Sequence, residues 1–78
     1  MEYFALRLFG DGAMKRHPET FEPEVTQLGD FDSLTDAVKQ ACVQLNCNTV
    51  GNERSGVLSQ GEGAGGFMVV DTQELAAV

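Results

Sequence analysis

Leu34-Thr35-Asp36-Ala37-Val38-Lys39-Gln40-Ala41-Cys42-Val43-Gln44-Leu45 decides the fold. Its apolar residues Leu34, Ala37, Val38, Ala41, Cys42 and Leu45 recur at i, i+3, i+4, i+7, i+8 and i+11. That spacing lines one stripe of an α-helix. Ser33 is a natural N-cap with Asp36 at N3, a variant of the capping box, whose usual N3 residue is Glu or Gln. Asp30 and Asp32 add negative charge near the positive end of the helix, so it is expected to begin at Leu34. Asn46, Asn48 and Gly51 supply stop signals, without a basic residue in the last turn to reinforce them.

On the amino-terminal side, Glu2 to Phe9 places Phe4, Leu6 and Leu8 on one face and Tyr3, Ala5, Arg7 and Phe9 on the other, the period of a strand. Gly10-Asp11-Gly12 then tolerates positive φ and turns the chain back. Ala13 to Pro23 carries Pro18 and Pro23, which confines any strand there to a short edge piece, and it reads mainly as loop. Pairing is expected to resume over Glu24 to Leu28, with Gly29 as the exit.

Beyond the helix, Arg54 to Gln60 and Gly66 to Asp71 read as two strands around the glycine-rich segment Gly61 to Gly66. Phe67-Met68-Val69-Val70 is apolar without alternation, as a strand covered on both faces requires, which places it mid-sheet. The expected fold is therefore a single α+β domain, residues 1–78: a small antiparallel sheet in β-β-α-β-β order with one amphipathic helix packed on one face.

A chain of 78 residues buries only about 60% of the surface its unfolded form exposes, so its stability is modest or assisted by self-association. Monomer or weak homodimer is the expectation. Met1 to Phe9 shows no secretory signal pattern, and the longest apolar run, Phe67 to Val70, is far short of the roughly 20 residues that span a bilayer. Two cysteines do not make a disulfide framework, so a reducing cytoplasm is expected.

Twelve Asp and Glu stand against five Lys and Arg, a net charge of −7. Affinity for a phosphate backbone comes from clustered Lys and Arg, and here Arg7, Lys15, Arg16, Lys39 and Arg54 are scattered. Direct nucleic-acid binding and anionic membranes are disfavoured on this ground. A basic protein surface is the matching partner, because complementary potentials steer encounter.

No catalytic, metal or cofactor constellation emerges. His17, the only histidine, lies between Arg16 and Pro18 in the expected loop, without a positioned partner for general-base work. Cys42 falls within the apolar stripe and reads as a small buried hydrophobe, with Cys47 the more exposed of the two. Their spacing is not that of a CxxC motif, and one histidine with two cysteines falls short of four zinc ligands. Asp30, Asp32 and Asp36 lack the run and distal Glu of a calcium loop. Gly61 to Gly66 leads into Phe-Met-Val-Val rather than a helix N-terminus, unlike a phosphate cradle. A flexible hairpin loop is the better account, and such loops often carry partner contacts.

Eight of the twelve acids, Glu2, Asp11, Glu19, Glu22, Glu24, Asp30, Asp32 and Asp36, lie between residues 2 and 36. Asp11, Glu19, Glu22, Glu24, Asp30, Asp32, Asp36 and, in the glycine loop, Glu62 are the expected partner-binding residues. Spread along one face, Glu19, Glu22, Glu24, Asp30 and Asp32 would imitate a series of phosphates, which in duplex DNA carry one charge per roughly 1.7 Å of axis.

In size, acidity, lack of a catalytic signature and helix-on-sheet architecture, the whole chain looks like phage-encoded inhibitors, including anti-CRISPR proteins. That family shares no motif from which a residue's role carries over. The resemblance implies inhibition by occupying the nucleic-acid-binding surface of a CRISPR effector complex, or by holding its subunits in an inactive arrangement. The alternative is a small self-associating structural or regulatory module, pairing through a sheet edge or through the apolar tail Leu75-Ala76-Ala77-Val78. An enzyme ranks behind both, since no nucleophile–base pair is identifiable.

Overall fold

The computed structural model describes residues 1–51, 56–61 and 64–77. Strand β1 (Glu2–Leu8) pairs antiparallel with β2 (Val25–Asp30) on one side and with β5 (Gly66–Asp71) on the other. The sheet continues through β4 (Val57–Ser59) to β3 (Asn48–Thr49), giving the order β2-β1-β5-β4-β3 with every pairing antiparallel. The unalternating Phe67–Val70 stretch thus belongs to an interior strand. Helix α1 (Leu34–Gln44) lies across one face, and a second helix, α2 (Thr72–Ala76), lies against β5 and β1.

The core follows from the strand period. Tyr3, Ala5, Leu58, Phe67 and Val69 point to the α1 side and pack with Ala37, Val38, Ala41 and Cys47. On the far face Leu6 and Val70 are fully buried, while Phe4, Leu8, Val57 and Met68 beside them are only partly covered.

Helix α1 starts as expected, with the Ser33 Oγ accepting from the Asp36 amide at 3.2 Å. It ends in a Schellman turn: Asn46 takes a φ of 54°, and the Cys47 amide donates to the Cys42 carbonyl at 3.1 Å. This reversal returns Cys47 beneath the helix. Cys47 is therefore buried and Cys42 half-buried, the opposite of the sequence expectation.

Four further expectations are corrected. Among the described residues there are five strands rather than four, because Asn48–Thr49 pairs with β4. The strand beginning at Val25 runs past Gly29 to Asp30, with a bulge opposite Tyr3 and Phe4 absorbing one residue. The expected strand Arg54 to Gln60 is seen as Val57–Ser59; residues 52–55 lie outside the described residues. Two helices rather than one are seen among the described residues: the tail is helical through Ala76, capped by Asp71, whose Oδ1 accepts from the Glu74 amide at 2.8 Å while Glu74 reaches back to the Asp71 amide.

Candidate docking surface

The loop between β1 and β2 is more ordered than its prolines suggest. Asp11 closes the first turn by accepting from the Ala13 amide at 2.9 Å, and Met14 then bridges back to Leu8. Arg7 forms a junction: its carbonyl accepts from the Lys15 amide and its own amide donates to the Glu24 carbonyl, both at 2.9 Å. From there residues 15–24 run out and back as a small hairpin, with Arg16 opposite Pro23 and the His17 amide donating to the Glu22 carbonyl at 2.8 Å.

His17 has a structural job in this hairpin. Its Nδ1 accepts from the Glu19 and Thr20 amides at 3.2 and 3.4 Å, which closes the tip. Phe21 follows with a φ of 61°, unusual for a bulky residue, held by its amide to the His17 carbonyl and by Arg16 donating to its own carbonyl at 2.8 Å. The strained backbone leaves the Phe21 ring 70% exposed, between Glu19 and Glu22.

A second acidic group surrounds the start of α1. Asp30, Phe31, Asp32, Asp36, Lys39 and Val43 line an open hollow of about 420 Å³. The Asp30 carboxylate binds the amino terminus at 2.7 Å, and this bond, with weaker attraction from Asp32 and Glu2, holds the ammonium pKa above its ordinary 8.0. Val43, 80% exposed, stands at the rim.

The sequence-predicted acids thus form two groups rather than one continuous patch. Glu19, Glu22 and Glu24 sit in the hairpin, where Lys15 pairs with Glu24 at 3.3 Å; Asp30, Asp32 and Asp36 gather at the helix start. Strand β2 separates them, six steps of about 3.3 Å or about 20 Å between Glu24 and Asp30. Asp11 lies apart in the first turn, and Glu62 falls outside the described residues. Phe21 and Val43 were missed as site residues. Val43 departs from the apolar stripe of α1, which is a readable signal; Phe21 stands out only as an aromatic between two prolines and among acids.

Among the described residues no three His, Cys, Asp or Glu side chains converge to hold a metal. Burial pushes the Cys47 thiol above its ordinary 9.0, with Cys42 adding to the shift and Arg7 opposing it, the reverse of what an activated nucleophile needs. No helix among the described residues is long and apolar enough to cross a membrane. Compared with known proteins, the chain matches no family model, no curated protein and no solved structure.

Proposed function

We propose that this chain is a non-catalytic protein-binding inhibitor whose acidic surface covers a basic, nucleic-acid-holding site on a protein partner. A CRISPR effector complex is the partner that the anti-CRISPR resemblance suggests. One observation carries the reading: among the described residues, the two most exposed of the large apolar side chains adjoin acids, Val43 at the rim of the hollow lined by Asp30, Asp32 and Asp36, and Phe21 beside Glu22 in the hairpin. An apolar anchor ringed by charge is the anatomy of a docking site, where the anchor supplies affinity and the ring supplies steering and partner choice.

The test is binding of a purified CRISPR effector complex over about 50 to 300 mM salt, with nucleic-acid displacement as the second readout. Wild-type affinity falls several-fold across that range, and the combined Glu19→Lys, Glu22→Lys, Glu24→Lys variant binds more weakly with a flatter salt dependence. Salt-independent binding by the wild type would count against the reading. The partly covered face of Phe4, Leu8, Val57 and Met68 favours the second reading, a self-associating module. Sedimentation at low concentration decides between them, since a stable dimer supports the module.

A further inference from the structure

The edge of the sheet between the two acidic groups has the properties of a binding strand. Among the described residues β2 has no neighbour on its outer side. The Arg7 amide bonds the Glu24 carbonyl, and antiparallel bonding alternates along a strand, so Thr26 also faces β1. Val25 and Gln27 therefore turn their N–H and C=O groups away from the sheet. Pro23 continues the same edge, since the bonds of its pair with Arg16 are made by the flanking residues, and its carbonyl also faces outward. The bulge after Gln27 ends the straight segment.

Unpaired edges are templates for another strand, and proteins usually blunt them with lysine or proline. Here Val25–Asp30 contains neither, and only Pro23, just before it, lacks a donor. The charges lie at the two ends instead: Glu22 and Glu24 before the strand, Asp30 and Asp32 after it. A twofold pairing of β2 with a second copy would set the Glu22 end of one chain against the Asp30 end of the other, acid against acid, between two chains of net charge −7. Self-pairing is thus opposed, whereas a segment with cations at both ends is attracted.

The geometry points to strand addition: an extended segment of the partner, basic at both ends, pairs along Pro23–Gln27 and sets its cations against the two acidic groups. This rests on the proposed function and gives its contact a backbone geometry. Main-chain bonds to Val25 and Gln27 provide the attachment, and the acids select for charge.

A labelled nine-residue peptide with two lysines at each end and an alternating valine–threonine centre is the probe, read by fluorescence anisotropy at about 50 mM salt. Gln27→Pro removes an outward donor without touching the main-chain bonds to β1, though it loses the side-chain bond to Glu2, and it is expected to weaken peptide binding about tenfold. Gln27→Thr, which also loses the side-chain bond to Glu2 but keeps the amide, binds like wild type. Amide hydrogen exchange on the wild-type protein needs no variant and should show the Val25 and Gln27 amides slowed by the peptide. Salt-sensitive binding without protection of those amides, or unaffected by Gln27→Pro in a folded variant, overturns strand addition while leaving acidic docking intact. No binding of the cationic peptide, with no difference from an acid-ended control, overturns strand addition, and acidic docking is then judged by the effector titration alone.

Discussion

Arg7 holds its guanidinium carbon 4.9 Å from the centroid of the Phe67 ring, across the register that pairs the two residues on β1 and β5. The same residue anchors the hairpin through both of its backbone groups. The core edge beneath α1 and the base of the acidic loop therefore share one residue.

Replacing Arg7 with Met keeps a long stem and removes the charge. We expect a loss of about 1 kcal/mol in urea unfolding, the scale of a partly exposed cation–π contact.

Phe21 offers a change of opposite sign. Asn tolerates positive φ, and an exposed ring contributes little burial, so Phe21→Asn should stabilise the fold by about 0.5 to 1 kcal/mol while weakening partner binding. A rise in melting temperature with unchanged affinity would remove Phe21 from the docking surface.

Gly66 has no room for a side chain. A Cβ there would fall 1.9 Å from the Leu58 carbonyl oxygen, on the backbone of the adjoining strand. Gly66→Ala should cost more than about 3 kcal/mol, seen as a large fall in melting temperature, because backbone rather than a flexible side chain must move.

Stability should decline in alkali. The amino terminus and the Cys47 thiol both have raised pKa values, so each holds its proton more tightly folded than unfolded. Their contribution is complete below the ordinary values of 8.0 and 9.0 and is lost as pH rises through the raised ones. Urea midpoints measured upward from pH 7 should fall, and acetylating the amino terminus should remove part of that slope.

Much of this architecture is legible in the sequence because its signals are local. The stripe from Leu34 to Leu45, the Ser33 cap and the alternation of Glu2 to Phe9 each need only neighbouring residues. Asn48–Thr49 is a strand only by virtue of its distant pairing with Leu58 and Ser59, which no local pattern announces. The second helix was readable, since Asp71 and Glu74 have capping-box spacing, but Leu75 and the alanines suggest an unstructured apolar tail. At the candidate site the helix-start acids Asp30, Asp32 and Asp36 are close in sequence, and the fold brings them to one hollow. The φ of Phe21 depends on its bonds to His17 and Arg16, and the separation of the hairpin acids from those at the helix start on the Arg7 junction, all of which form only in the folded chain.

Among the described strands, the one that joins the two halves of the sheet comes last in sequence. A growing polypeptide that ends before Gly66 has β1 and β2 on one side and β3 and β4 on the other, with nothing to bond across the gap. Closure of the sheet must therefore await Gly66–Asp71, whose partners in β1 lie far away in sequence, so completing it is a non-local and slow step of folding.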